Sequence, residues 1–426
     1  MRFFGFVLTL IGALYLLDLA LLAGVHRTWW QHRWVRLVAL LTPVAVAAGL
    51  GIWALSHEQQ STTWVAVGAG LTSVIFAQLA ALLLALLLAA GARGVICLWD
   101  VLRRSTSNAA PRTAADAATV PFPVAPPLPE ELAAETTPRS PDRRRFLRAG
   151  LTAIPLATCS AAAGGTLQST QSPGIPEIPL RYPDLPPALQ GLRILHLSDL
   201  HVGPYLDLQD VARLLERAAA LNPDLVLVTG DICDHMPDYL ATLQLIETLA
   251  PPLGIYASLG NHEYFRGLPA VRACFARSSI PLLIDAGLSI PVGDHQLYVA
   301  GADDPKYLAN PDAHARLRRS VESSLAGAPS NAFHLLMSHR SQAFDTAAPL
   351  GVHLTLSGHT HGFQMGFAGR SLFEGLLPQN YIWGHYGGGD TQLYTSAGVG
   401  HWFPFRLGCP PEAPLFTLTS ATRQLS

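Results

Sequence analysis

The sequence predicts an N-terminal α-helical transmembrane region followed by an α/β domain. Three long apolar segments occupy residues 3–22, 37–55 and 64–90, and beyond residue 180 short apolar runs alternate with amphipathic stretches. Alternating strands and helices predict right-handed crossovers and a largely parallel sheet. Half of the 426 residues are hydrophobic and only 14% are charged. This composition favours a membrane protein that carries a soluble domain.

The three apolar segments are each long enough to cross a bilayer core of about 30 Å at about 1.5 Å per helical residue. Arginines cluster in the first connection and after the third segment, at Arg27, Arg33, Arg36, Arg93, Arg103 and Arg104. Since cytoplasmic connections are enriched in basic residues, we expect both connections in the cytoplasm and the N-terminus outside. The sequence thus predicts a multi-pass protein of the cell (inner) membrane.

A proline- and alanine-rich stretch over residues 105–142 predicts an extended linker that builds no core. Residues 143–166 follow, beginning with Arg143-Arg144-Arg145-Phe146-Leu147-Arg148. This segment resembles a twin-arginine export signal; the alternative is a short fourth span anchored by its arginines. Both interpretations place the α/β domain, residues 180–426, outside the cytoplasm.

Within the α/β domain, five polar stretches stand out, four of them directly after apolar runs typical of buried strands. They are Asp199-Leu200-His201, Gly230-Asp231, Gly260-Asn261-His262-Glu263, Ser338-His339 and Gly358-His359-Thr360-His361-Gly362. Because open α/β sheets bind ligands where their strands end, we expect these polar groups to form one site.

Seven side chains in these stretches are of metal-ligating type: Asp199, His201, Asp231, Asn261, His339, His359 and His361. Carboxylate, imidazole and amide oxygen donors suit magnesium and divalent first-row metals. Seven donors are too many for one tetrahedral ion, but they fit two ions if one carboxylate bridges. The ordered pattern D-x-H, G-D, G-N-H-[DE], H, G-H-x-H resembles the calcineurin-like metallophosphoesterase superfamily, and the tail resembles its membrane-associated bacterial branch.

This resemblance implies an αββα fold, with two facing β-sheets flanked by helices, and two divalent metal ions (Mn, Zn, Fe or Mg). The first ion would take Asp199, His201, Asp231 and His361, and the second Asp231, Asn261, His339 and His359. A metal-bridging hydroxide would then attack phosphorus, with Asp231 as the bridging ligand. The resemblance gives His262 the role of protonating the leaving oxygen or neutralising charge in the transition state.

The predicted activity is hydrolysis of a phosphodiester or pyrophosphate bond by a membrane-anchored enzyme. Anchored relatives suggest lipid-linked or envelope substrates, such as a phospholipid or a nucleotide-linked lipid, with the bilayer as a partner. The alternatives are a phosphomonoesterase, or a non-catalytic metal-binding sensor or scaffold. The formal net charge of −2 gives no sign of the basic surface that nucleic-acid-binding proteins carry, so nucleic acid is not expected as a partner.

Three residues beyond the motifs are candidates for binding substrate. His385 and His401 lie in predicted loops that could line the substrate site. Arg406 is a candidate phosphate clamp because its planar fork suits phosphate oxygens; the alternative is a surface ion pair. The chain also departs from the family pattern at Phe363, where the family often has glycine, and over Arg340-Ser341-Gln342, where it often has proline; both positions flank the predicted cleft.

Overall fold

This computed structural model describes the N-terminal helices and nearly all of the α/β domain. The described residues are 2–24, 26–58, parts of 71–99 and of 160–170, and 171–420 except 308–310, 377–380 and 402–404. The predicted linker over residues 105–142 and most of the arginine-led segment over 143–166 lie outside the described residues.

Helices form where the first two apolar segments occur. They are α1 (Arg2–Gly24), the short α2 (Arg27–Trp30) and α3 (Arg33–Glu58). Only part of the third segment, residues 64–90, is described. Across the part of the chain that the structure describes, no helix has both the length and the apolar character needed to cross a membrane. The predicted multi-pass arrangement therefore stays a prediction.

The α/β domain contains two main mixed sheets and a short hairpin. The strands are β1 (Glu177–Tyr182), β2 (Arg193–Leu197), β3 (Leu225–Thr229), β4 (Ile255–Ser258), β5 (Ala286–Val292), β6 (His295–Gly301), β7 (Phe333–Met337), β8 (Leu354–Ser357), β9 (Gly366–Phe367), β10 (Arg370–Ser371), β11 (Gly384–Gly388), β12 (Thr391–Thr395) and β13 (Leu415–Ser420). The first sheet has the order β1-β13-β2-β3-β4, and the second has the order β11-β12-β8-β7-β6-β5.

Helices cover the outer face of each sheet, and an apolar layer fills the space between the sheets. The helices are α4 (Leu208–Ala219), α5 (Tyr239–Glu247), α6 (Asn261–Arg266), α7 (Leu268–Phe275), α8 (Ala313–Leu325) and α9 (Phe344–Ala347). One buried cluster joins inward side chains of both sheets, among them Ile194 and Leu335. Two further clusters pack α4 and α5 on the first sheet and α8 on the second. The predicted two-sheet αββα architecture is confirmed.

Local sequence signals account for the positions of these helices. Asp207 caps α4 by accepting hydrogen bonds from the backbone N–H groups of Gln209 and Asp210. The side chains of α4 that face the sheet, Val211, Leu214, Leu215 and Ala218, recur at helical spacing and are all buried. The cap residue and the apolar spacing are both visible in the sequence.

Strand register brings the polar stretches together. Strands β2, β3 and β4 are parallel neighbours, with Leu197 paired to Val228 and Thr229 paired to Ser258. Strands β7 and β8 are likewise parallel, with Met337 paired to Leu356. Because parallel strands end at one edge of a sheet, the loops that follow them gather at the carboxyl ends of both sheets.

Candidate metal centre

The structure collects six of the seven predicted ligands into two adjacent groups. Potential donor atoms of Asp199, His201 and His361 lie within 4.8 Å of one another. Those of Asp231, His339 and His359 do the same. All of these side chains are buried except His359, which is partly exposed. The loops after β2, β3, β7 and β8 therefore converge as the sequence predicted.

Short contacts link the two groups through their carboxylates. In the first group, His361 Nε2 lies 3.2 Å from Asp199 Oδ1 and 3.2 Å from His201 Nε2. In the second, His339 Nε2 lies 3.1 Å from Asp231 Oδ2. Asp231 Oδ2 is also 3.6 Å from His201 Nε2, so this carboxylate faces both groups. Its position suits the bridging role predicted for Asp231.

Polar atoms of the cluster face one another as acceptors, an arrangement that a bound cation would stabilise. His339 donates from Nδ1 to the carbonyl oxygen of Thr229 at 2.8 Å, which in a neutral ring leaves a lone pair on Nε2. Among the described residues this buried Nε2 has no hydrogen-bond partner, and it faces the Asp231 carboxylate. Two acceptors facing each other in a buried site are costly unless a cation or a proton lies between them. The residues therefore fit a divalent metal.

The electrostatics of the cluster keep its carboxylates ionised. Burial alone would raise the pKa of Asp231, but His339, His262 and His201 hold it below its usual range. Burial also works against the charged form of His339, yet Asp231 and Asp199 raise the pKa of that imidazole to about 9. The pocket is thus arranged to attract positive charge at neutral pH.

The backbone at the site is strained at most of the predicted ligands. Asp199, His201, Asp231, His359 and His361 all have φ between 48° and 70°, in the left-handed region that side chains other than glycine seldom adopt. Such residues tend to cluster at functional sites, where surrounding structure holds them in place. Strain at five of the seven predicted ligands is the backbone pattern that functional sites typically show.

Asp234 belongs to the site and was not predicted from the sequence. Its Oδ1 lies 2.6 Å from His262 Nδ1, and its Oδ2 lies 3.1 Å from His201 Nδ1. The carboxylate therefore orients both imidazoles and directs their Nε2 atoms to the cluster, with His262 Nε2 at 3.9 Å from Asp231 Oδ2. The only sequence signal was its position three residues after Asp231, which by itself names no partner.

Glu263, the last residue of the G-N-H-[DE] motif, holds two of the loops together. Its carboxylate accepts hydrogen bonds from the backbone N–H groups of Asp231, Ile232 and Gly260 at 2.8–2.9 Å. Its buried side chain also accepts a hydrogen bond from the Tyr239 hydroxyl at 3.1 Å. Glu263 therefore fixes the Asp231 backbone relative to Asn261.

Arg340, which departs from the family pattern, reaches into the second ligand group. Its Nη2 donates to Asn261 Oδ1 at 3.2 Å, and its Nη1 contacts His359 Nε2. Its Nε donates to Asp304 Oδ2 at 2.6 Å, and the side chain is almost fully buried. Burial and this guanidinium hold the pKa of His359 well below its usual range, which keeps the imidazole neutral.

The structure corrects the surface ion pair suggested as the alternative for Arg406, and its role as a phosphate clamp stays a prediction. The side chain is fully buried, and it donates to the carbonyl oxygens of Ala397, Gly400 and Cys409. Its Nη2 also lies 3.3 Å from His361 Nδ1. Since its donors are directed to these groups inside the protein, Arg406 supports the His361 ring.

The two remaining candidate histidines differ in their surroundings. His385 lies on β11, and its Nε2 is 2.8 Å from Gln392 Oε1. The structure therefore places it on a strand rather than in a loop, and its role in substrate binding stays a prediction. His401 is buried and stacks on Tyr205 with ring centroids 5.2 Å apart. Burial and the nearby Arg406 lower its pKa, and its role in substrate binding stays a prediction.

Comparison with known proteins agrees with this site. Residues 192–363 match the family model described as calcineurin-like phosphoesterase. An uncharacterised metallophosphoesterase of Aquifex aeolicus is 32% identical over 53% of this chain and 85% of its own length. The chain therefore belongs to the calcineurin-like phosphoesterase family, whose members are metal-dependent phosphoester hydrolases.

Other relatives share only part of their length with this chain. A metallophosphoesterase of Caenorhabditis elegans is 32% identical over 50% of this chain and 45% of its own. A protein of Danio rerio named transmembrane protein with metallophosphoesterase domain is 27% identical over 62% of this chain and 61% of its own. The chain thus spans less than two thirds of each of these two relatives.

Proposed function

We propose that this enzyme hydrolyses a phosphodiester or pyrophosphate bond with two divalent metal ions. The observation that carries the proposal is the pair of ligand groups at the strand ends, facing each other across Asp231 and Asp199. When bound, two ions stabilise the attacking and the leaving oxygen of an in-line displacement at phosphorus. The residues that would hold them are Asp199, His201, Asp231, Asn261, His339, His359 and His361.

His262 is suited to deliver a proton to the leaving oxygen. It lies outside the two ligand groups, in a third set with His201 and Asp234 whose potential donor atoms also lie within 4.8 Å of one another, and about a fifth of its side chain is exposed. Because its Nδ1 is held by Asp234, its Nε2 is presented to the space above the carboxylates. A positioned imidazole of this kind typically contributes about 10²–10⁴-fold to the rate.

The test is an assay of the full chain with bis-p-nitrophenyl phosphate, p-nitrophenyl phosphate and a pyrophosphate diester. Each is measured with manganese, zinc, iron or magnesium, and with chelator, together with the metal content of the protein. We expect metal-dependent turnover that favours the diester or the pyrophosphate and two ions per chain. A preference for the monoester would replace the proposal with a phosphomonoesterase.

Asp231→Asn removes the carboxylate that faces both ligand groups, so we expect it to abolish turnover and to lower metal content. Asp294→Asn is the matched control, since Asp294 lies in an exposed turn between β5 and β6. Full activity of Asp231→Asn would contradict the two-ion assignment. A folded, metal-loaded wild-type chain that hydrolyses none of the three substrates would favour the sensor or scaffold alternative.

We also propose that the N-terminal third associates with a membrane and brings the enzyme to lipid-linked substrates. Support comes from the name of the Danio rerio relative and from one face of α3. That face exposes apolar side chains at helical spacing: Trp34, Leu37, Val38, Leu41 and Val44. If the proposal holds, the full chain sediments with carbonate-washed membranes. Val38→Asp with Leu41→Asp should weaken that association, and His32→Asp, at an exposed polar site, should not.

A further inference from the structure

We propose that Phe265, Lys306 and Tyr307 form a leaving-group subsite for a planar ring that carries a second anionic group. A nucleoside monophosphate has this chemistry. The inference rests on the proposed phosphoesterase function, which it deepens by naming a substrate class. The three residues are called the aromatic–lysine subsite below.

The subsite is built from two exposed rings and one ammonium group. The ring centroids of Phe265 and Tyr307 lie 5.5 Å apart. Lys306 Nζ lies 5.5 Å from the centroid of Phe265 and 5.4 Å from that of Tyr307. Phe265 is 43% exposed and Tyr307 is 50% exposed, so both rings present area to a ligand. Exposed rings of this kind stack on bases with little dependence on base identity.

Lys306 supplies the positive charge of the aromatic–lysine subsite. It is the single lysine of the sequence, and among the described residues its ammonium group forms no ion pair with a carboxylate. An ammonium group that contacts two ring faces retains N–H donors for an anion such as phosphate. The combination of ring faces and an unneutralised cation fits an aromatic ligand that also bears negative charge.

The loop that carries Lys306 is tied to the metal-ligand cluster. Lys306 has φ of 68°, and its backbone N–H donates to Asp304 Oδ1 at 2.5 Å. Arg340, which contacts His359 and Asn261, donates from Nη2 to the carbonyl oxygen of Lys306 at 3.2 Å. One buried guanidinium therefore connects the second ligand group to the lysine. Strained backbone held by such a network is typical of ligand sites.

The subsite lies on the side of the cluster from which the leaving group departs. The ring centroid of Phe265 is 5.3 Å from that of His262, the residue proposed to protonate the leaving oxygen. In the hydrolysis, a water oxygen forms the new bond to phosphorus and the bond from phosphorus to the bridging oxygen breaks. The bridging oxygen keeps the electron pair and takes a proton from His262, and the water releases its proton to solvent. The fragment that leaves is then next to Phe265.

Because Lys306 is the single lysine, reductive ¹³C-methylation of the full chain labels it and the N-terminal amine only. Lys306→Arg identifies the Lys306 resonance. Adenosine monophosphate, ribose 5-phosphate and adenosine are titrated separately against the labelled protein. We expect adenosine monophosphate to shift the Lys306 resonance and to bind at least about tenfold more tightly than either fragment, since both stacking and charge contribute.

Phe265→Leu keeps an apolar side chain but removes the ring face. We expect it to bring the affinity for adenosine monophosphate close to that for ribose 5-phosphate and to leave the ribose 5-phosphate affinity unchanged. Phe367→Leu, at an exposed phenylalanine on β9, is the matched control and should bind as the wild type does.

Equal binding of adenosine monophosphate and ribose 5-phosphate to the wild type would overturn the stacking part of the inference. Equal binding of adenosine and adenosine monophosphate would overturn the role of the lysine. The assay with bis-p-nitrophenyl phosphate separates these failures from that of the proposed function. If metal-dependent turnover of the small diester persists without selective nucleotide binding, only the subsite is wrong.

Discussion

His262 differs from the other histidines of the centre because it contacts the ligands without belonging to either group. Its backbone N–H donates to Asp231 Oδ1 at 2.8 Å, and this hydrogen bond does not require the imidazole. We therefore expect His262→Ala to keep its metal content while kcat falls by about 10²–10⁴-fold, as is typical for loss of a general acid. Elemental analysis and steady-state kinetics on one preparation test this. Loss of metal in His262→Ala would mean that the imidazole is itself a ligand.

Asp234 acts through two histidines at once, so its replacement should have two effects. The carboxylate orients His262 and His201, and loss of such a partner typically costs about 10–100-fold in metal affinity or activity. We expect Asp234→Asn to weaken metal binding as well as to lower kcat, whereas His262→Ala lowers kcat alone. Metal titration of the two variants, followed by kinetics at saturating metal, separates the effects.

The matched control for Asp234→Asn is Asp238→Asn, because Asp238 is also partly exposed and paired with a histidine, His235, beside the same loop. Asp238→Asn should leave both metal affinity and kcat near the wild-type values. An Asp234→Asn variant that also behaves like the wild type would show that Asp234 is not needed to orient either imidazole.

At single residues, the sequence predicted the metal-ligating side chains better than the residues that contact and orient them. The motifs identified the side chains that meet at the strand ends because each motif begins within a few residues of the end of a strand. Asp234 and the partners of Arg340 were missed because their contacts come from loops distant in sequence. The surface ion pair suggested as the alternative for Arg406 was wrong because the guanidinium is buried. Its burial depends on the loop at residues 397–400, whose carbonyl oxygens accept its hydrogen bonds.

Among the structural elements, the turn after β8 depends on the absence of a side chain at Gly358. A Cβ atom there would lie 2.0 Å from Asp199 Oδ2 and 2.0 Å from Ser198 Oγ. We expect Gly358→Ala to displace the Asp199 carboxylate, to lower metal content and to reduce turnover sharply. Gly388→Ala in β11 is the control, since a Cβ atom there meets nothing within 4 Å.

The readouts for this pair are metal content, turnover and the far-ultraviolet circular dichroism spectrum. If Gly358→Ala retains its fold but loses metal, the turn positions Asp199 for binding. If it retains metal and activity, the contact of Gly358 with Asp199 has no functional role.

Element positions were largely predictable in the α/β domain because cap and periodicity signals agree there. Amphipathic stretches between the apolar runs appear as helices, among them α5 and α8. Sheet order was not derivable from local patterns. Strand β13, at the end of the domain, lies between β1 and β2 in the first sheet, a pairing set by contacts more than 200 residues apart in sequence.

At the scale of the whole molecule, Glu412 connects the two sheets behind the metal centre. It lies just before β13 of the first sheet, and its Oε1 accepts hydrogen bonds from Trp383 Nε1, the Tyr394 hydroxyl and the Ala397 backbone N–H. Tyr394 belongs to β12 of the second sheet. Burial raises the pKa of the Glu412 carboxyl above its ordinary value of 4.5, so folding favours the protonated form.

The raised pKa of Glu412 determines how the free energy of unfolding changes with pH. Between the unfolded and the folded pKa, the folded state binds more protons, so the contribution of Glu412 to the free energy of unfolding is lost as pH rises through the folded pKa. Glu412→Gln keeps an acceptor oxygen for the same three donors and cannot ionise. We therefore expect the wild type to lose thermal stability relative to Glu412→Gln as pH rises from about 4 to 8. The metal ligands titrate equally in both proteins, so their effects cancel in the difference of melting temperatures. A difference that is constant over this range would show that the Glu412 carboxyl ionises as readily in the folded protein as in the unfolded chain.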